Sequence, residues 1–198
     1  MRDFIFKYRG WLFIPAAIAM LYLARPTMPS LVFGLAVSFL LGEGIRIWAV
    51  GFTGVTTRDD KVVAPSLVTA GPYAHLRNPL YLGNLISWIG FCIASAGAVP
   101  PWAAAVIFGA TILSYGVIYG AIIPLEEAYL EKTFGEPFKE YVKSVPRLLP
   151  RPAPYQNAQG RYDPGVILRA ELHTILMLLA LAAVLVLKFT GTLTFHPY

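Results

Sequence analysis

Between Leu67 and Gly83 the chain reads LVTAGPYAHLRNPLYLG. Two phenols (Tyr73, Tyr81), an imidazole (His75), a guanidinium (Arg77) and a carboxamide (Asn78) are crowded into this stretch. Together they can bind an anion or a set of hydroxyls, and the same residue types also anchor a helix at lipid headgroups. A second candidate is the adjacent pair Glu126-Glu127, which directly follows a long apolar run. Two neighbouring carboxylates suit a cation or several hydroxyls, or alternatively the solvated start of a helix, where acids complement the dipole. A third is Glu43 with Arg46, three residues apart and flanked by Gly42 and Gly44, a spacing that predicts an internal ion pair or a snorkelling side chain. His173 and His196 each lack a second ligand at a spacing that would hold a metal. No GxSxG, Walker A or GxGxxG signature occurs.

The elements that carry these groups follow from composition. Hydrophobic residues make up 57% of the 198 and charged residues 14%, and mean hydropathy is +0.60. A soluble domain has about 25% charged residues, so this chain cannot cover a water-facing surface. Cys92 is the single cysteine, which excludes a disulfide framework. Four runs are long and apolar enough to cross about 30 Å of hydrocarbon: residues 31–50, 80–99, 102–125 and 166–189. A fifth, residues 5–24, has the basic start of a signal peptide but no convincing cleavage site, and reads as a retained span. The expected fold is an all-α membrane protein, a single domain of about five transmembrane helices with a cytoplasmic amphipathic segment.

The net charge is +5. With the N-terminus inside, fourteen of the sixteen basic residues fall on one face and only Arg25 and Lys188 on the other. This distribution is a topology signal, predicting a cytoplasmic N-terminus and an outer C-terminus. It also accounts for the basic, aromatic loops without nucleic acid. The two outer turns are short, whereas the inner segments, about 51–79 and 126–165, are long and carry most of the polar chemistry. Loops of that length tend to be functional or disordered. In the second of them, Leu130, Phe134, Phe138, Tyr141, Val142 and Val145 recur at helical spacing among charged residues. Gly135 and Pro137 should divide this stripe into two short helices, and a proline-rich connector leads to the last span. Gly71-Pro72 predicts a turn, and Asn78-Pro79 a helix start.

Taken together, GPYAHLRNPLYLG (71–83) and EEAYLEKTFGEPFKEYVKSVPRLLP (126–150) resemble the isoprenylcysteine carboxyl methyltransferase family and its phospholipid methyltransferase relatives. That family carries a GPYxxxRHPxYxG-like block, an intervening helix, then Glu-Glu and FGxxYxxYxxxVxRxxP. Order, spacing and the hairpin match over roughly residues 62–150. Asn78 stands where the family usually has histidine, and Phe138 where tyrosine is common. Asparagine keeps a donor and an acceptor but cannot act as a base near neutral pH.

The resemblance implies an S-adenosylmethionine-dependent methyltransferase with its cofactor between the bundle and the inner segments. Carried over by position, Arg77, Asn78, Pro79, Tyr81 and Gly83 would form one wall and Glu126 and Glu127 the other. Tyr141 and Arg147 would close over the cofactor, Gly71 and Tyr73 would set the loop, and His75 lies among these contacts. Arg77, Asn78 and Glu127 are expected at the reacting end. The implied acceptor is lipidic or prenylated and lies within the bilayer among membrane lipids. A carboxylate is the first expectation and a phospholipid amine the second. An NADPH-dependent membrane reductase of related fold and a non-catalytic lipid-binding protein are the competing readings. Nothing in the chain sets an oligomeric state.

Overall fold

The computed structural model describes residues 8, 10–54 and 64–194. The expectations that rest on Arg2, Phe4–Phe6, Lys7, Arg9, Arg58, Lys61 and His196 lie outside these residues. Among the described residues the chain is helical, with no strand. A 3-10 turn at Trp11–Phe13 leads into α1 (Ile14–Leu23). Then come α2 (Met28–Thr53), α3 (Pro79–Ser95), α4 (Pro101–Phe134), the short α5 (Glu136–Ser144) and α6 (Ile167–Phe189). The helices containing Met28–Thr53, Pro101–Phe134 and Pro164–Phe189 are each long and apolar enough to cross a membrane, and α1 and α3 are shorter apolar helices beside them. The protein is an all-α membrane protein.

One end of the bundle is closed by two short turns that bond to each other. Arg25 N–H donates to Ser95 O at 2.9 Å, and Ala98 N–H to Arg25 O at 2.8 Å. Thr27 caps α2 in a reciprocal box with Ser30, whose hydroxyl also reaches Ala94 O. At this same end Lys188 of α6 donates to Leu21 O and Tyr22 O of α1. Arg25 and Lys188, the two residues that the charge distribution sets apart, thus stand together, opposite the long segments.

Along the seam between α2 and α3 the two backbones pack closely. Gly34, Ser38, Gly42 and Arg46 recur every fourth residue on α2 and face Ala94, Gly90, Ser87 and Gly83 of α3. Along an α-helix such a row drifts by about 40° per step. Here residues Val37–Glu43 are wound as a π-helix, whose wider turn holds the row on one face. A Cβ on Gly34 would collide with Gly90 O and Ala94 N. Small residues let two backbones approach in a membrane, where packing replaces the hydrophobic drive.

At the other end the helices outrun the seam. Residues 102–125 read as a complete span, but α4 continues unbroken for 34 residues to Phe134. At 1.5 Å per residue it is about 51 Å long, well beyond the hydrocarbon core. Glu126 and Glu127 therefore do not start a helix, and the dipole explanation of the pair does not apply. Pro124 sits inside α4 and leaves the Gly120 carbonyl without its ladder donor. The amphipathic stripe is divided at Gly135, whose φ of +61° only glycine adopts easily. Its first half is the end of α4 and its second half is α5. Residues 80–99 read as a span also shorten, since α3 ends at Ser95.

The seam generates a stability prediction. Gly34→Ala or Gly90→Ala should lower unfolding free energy in detergent by about 1–3 kcal/mol through overpacking. Gly116→Ala, with open space around its Cα, should be neutral or gain up to about 1 kcal/mol from helix propensity.

Candidate functional site

The turn that opens the site is set by Gly71, at φ +62°, where a Cβ would meet the Phe52 ring. A 3-10 turn, Gly71–Ala74, follows, and Pro79 then occupies the first turn of α3 as the Asn78-Pro79 pair predicts. The strip between them is paired with the proline-rich connector. Arg77 N–H donates to Pro146 O at 2.8 Å, Asn78 N–H to Arg147 O at 3.1 Å, Arg151 N–H to His75 O at 3.0 Å and Tyr155 N–H to Ala74 O at 2.9 Å. The connector continues alongside through Gln159, which accepts from Thr69 and Ala70, to Asp163, whose N–H donates to Gly51 O. The site region therefore extends past residue 150 to the start of α6.

Arg77 is the hub of this end. Its Nε donates to Glu127 Oε1 at 3.0 Å, Nη2 forms an ion pair with the same oxygen at 2.9 Å, and Nη1 donates to Val142 O at 3.0 Å and Val145 O at 2.6 Å. The hydrogen bonds use three of its five N–H groups and satisfy carbonyls at the end of α5, where a cation also suits the helix dipole. Glu127 accepts in addition from Arg147 Nε at 3.0 Å and Nη2 at 2.5 Å. This carboxylate holds the Arg147 guanidinium above its ordinary range, first through the hydrogen bonds and then through its charge. Tyr141, on the buried face of α5, donates to Tyr73 O at 2.7 Å, and Tyr73 reaches Thr53 at 3.4 Å. Burial pushes both phenols above the usual tyrosine range.

A cavity of about 470 Å³ opens between these parts and runs into the bundle. Of the residues singled out in the sequence, Tyr73, Arg77, Asn78, Pro79, Tyr81, Glu126, Glu127 and Tyr141 line it. Tyr81 donates to Glu126 Oε1 at 2.5 Å. Asn78 faces the cavity while its Nδ2 clips the Arg147 carbonyl at 3.1 Å. Three expected residues stand off the wall. His75 turns its Nδ1 to Arg151 O at 2.9 Å. Gly83 lies in the α2–α3 seam, where a Cβ would strike the Arg46 side chain and Gly42 O. Arg147 is half exposed and grips Glu127 from outside. Phe138, in place of tyrosine, is buried beside Tyr141 and Val145.

The deeper half of the cavity holds residues that the motifs do not contain. Arg46 of α2 donates through Nη2 to both oxygens of Glu171 on α6, at 2.7 and 2.6 Å, and through Nη1 to Asn84 Oδ1 at 2.5 Å. Glu43, the partner expected from sequence, lies 3.3 Å from Arg46 Nε, near enough for attraction but without hydrogen-bond geometry. Asn84 Nδ2 then donates to Tyr119 Oη at 2.7 Å. Arg46, Asn84, Tyr119, His173 and Thr174 all line the cavity. One sequence signal points to this layer: Glu171 is an acid within an apolar run, and such a residue needs a partner.

The two buried phenols generate a pH prediction. Below about pH 10 Tyr73 and Tyr141 are neutral in the folded and unfolded chain alike. Above it the unfolded chain loses protons that the folded one keeps, so stability must fall as pH rises. Melting curves in detergent from pH 8 to 11 should show this fall. Tyr141→Phe should make it shallower while lowering stability at pH 8 by about 1–3 kcal/mol, because the Tyr73 carbonyl loses its donor.

Comparison with known proteins agrees with this architecture. The cobalt-zinc-cadmium resistance protein CzcN of Cupriavidus metallidurans is 34% identical over 91 residues, 46% of this chain and 38% of the relative. The nickel-cobalt-cadmium resistance protein NccN of Alcaligenes xylosoxydans xylosoxydans is 32% identical over 85 residues, 43% of this chain and 36% of the relative. The alignments thus span less than two fifths of the length of either relative. No solved structure matches the chain. The family model for phospholipid methyltransferases matches residues 30–137, from the start of α2 into α5 and across both the seam and the Glu126-Glu127 pair, and the chain belongs to that family.

Proposed function

We propose that the protein is an S-adenosylmethionine-dependent methyltransferase acting on a lipidic acceptor, with its site on the cytoplasmic side. The observation that carries this reading is the donor set at the mouth. Glu126 and Glu127 stand side by side on α4, facing Tyr81, Asn78 and Tyr73 across one cavity. Carboxylates suit the cofactor's ammonium and ribose hydroxyls, and aromatic faces suit its cationic centre. When bound, the cofactor supplies an electrophilic methyl group on a sulfonium that leaves as a neutral thioether. The chain's own part is to bind, align and exclude water. Three N–H groups of Arg77 are already engaged by Glu127 and two carbonyls, and Nη2 is ion-paired to the same carboxylate. Its role in the proposal is therefore to hold Glu127 and the α5 lid rather than to grip a carboxylate bidentately.

The acceptor end follows from the same walls. Below the polar mouth the cavity reaches Phe13, Trp88 and Met177 on three apolar helices, a lining suited to a lipidic group. Asn78 cannot take up a proton, so an acceptor that is already ionised, a carboxylate, fits this mouth. An amine acceptor is the second reading, favoured by His173 on the cavity wall. The names of the two curated relatives concern metal resistance, and the proposal here rests on the donor set instead.

Calorimetric titration of the protein in detergent or lipid nanodiscs with S-adenosylhomocysteine tests the reading. The wild type should bind. Glu126→Gln and Glu127→Gln should each weaken binding about tenfold, a loss of about 1.4 kcal/mol. Failure of the wild type to bind in either medium overturns the proposal.

A further inference from the structure

The family match ends at residue 137, yet α6 supplies part of the cavity wall. We infer that Glu171 of α6 is a positioning residue for the methyl-transfer site, setting the inner wall through Arg46, Asn84 and Tyr119. The inference rests on the function proposed above and assigns it a determinant outside the shared core.

Glu171 is completely buried, and both its oxygens are bonded to one nitrogen of Arg46. Arginine has a long stem with many rotamers, and a bidentate partner removes that freedom. Thr174, one turn along α6, adds a weaker contact to the same Nη2 at 3.4 Å. With Arg46 fixed, Nη1 is aimed at Asn84. Because Asn84 spends its carbonyl oxygen on Arg46, its amide nitrogen is left to donate, and it does so to Tyr119 Oη. The Tyr119 ring in turn packs 4.4 Å from the ring of Tyr81, whose hydroxyl holds Glu126. A continuous series of contacts thus leads from a buried acid on α6 to a carboxylate at the mouth. Every member between Arg46 and Glu126 lines the cavity.

A brace that served folding alone would alter stability and leave ligand affinity untouched. A positioning residue must alter affinity, and must do so through the groups it orients. The test is a double-mutant cycle on S-adenosylhomocysteine affinity, measured on protein that elutes as a single species in detergent. Glu171→Gln keeps the shape of the side chain but turns one acceptor into a donor facing Arg46. It should raise the dissociation constant about fivefold, as should Tyr119→Phe, and the double variant should be no weaker than the worse single. Glu171→Asp keeps the charge but draws it back from Arg46 by one methylene, so it should raise the dissociation constant about twofold, less than glutamine does, and it carries the test should the glutamine variant not fold. Unchanged affinity in the Glu171 variants, or fully additive losses in the cycle, overturns the inference while wild-type binding still stands. Absence of wild-type binding is a different result and removes the functional proposal itself.

Discussion

The bond between Arg77 and Glu127 is the joint on which the loop end of this molecule depends. It links the turn before α3, the protruding end of α4 and, through the Val142 and Val145 carbonyls, the end of α5. Both side chains are largely shielded from water, where an unmatched charge is expensive and a matched, hydrogen-bonded one is tolerated. Each therefore needs the other in place. Arg147 reaches the same carboxylate from the solvent side, so the connector that carries it is drawn in as well. Once the joint is made, the backbone of 74–78 meets that of 146–155 and the mouth of the cavity has a lid.

Beneath that lid the molecule separates two kinds of surface. The α2–α3 seam is built from small residues and has no room for a ligand, so the space must lie on the other side of α3, towards α4 and α6. There the polar groups form two layers. The mouth layer of Glu126, Glu127 and Asn78 belongs to the family's two blocks. The inner layer of Arg46, Asn84, Tyr119 and Glu171 draws on α2, α3, α4 and α6. Between them the aromatic rings of Tyr81, Tyr115 and Tyr119 pack together. This stacking gives the cavity a rigid wall that is apolar on its faces and polar at its edges.

Much of this was legible where local chemistry speaks. Gly71 marks a backbone that only glycine adopts easily, Pro79 a helix start and Gly135 a helix break, and each does so in the structure. The polar residues of the two long segments predict a polar end, and that is where the cavity opens. Motif position was a poorer guide to side-chain direction. His75, Gly83 and Arg147 fall inside the blocks yet stand off the cavity, held by a backbone carbonyl, a helix seam and a carboxylate respectively. The sequence places the end of α4 too early, because hydropathy falls at Glu126 while the backbone ladder continues to Phe134. A change in polarity marks the edge of the hydrocarbon, not the end of a helix.

What the sequence determined by itself is therefore the class of molecule, the elements and the two blocks, because hydropathy, proline, glycine and short-range spacing act within a few residues of one another. Only the tertiary structure decided which charges meet. Arg46 has an acid three residues away in Glu43, yet its hydrogen bonds go to Glu171, 125 residues further on. The reason is geometric. On one helix face Glu43 reaches Arg46 without the alignment that a hydrogen bond requires, whereas a residue on a facing helix can present both oxygens to the guanidinium. Spacing along a chain sets proximity, but the direction of a hydrogen bond is set by the packing of helices.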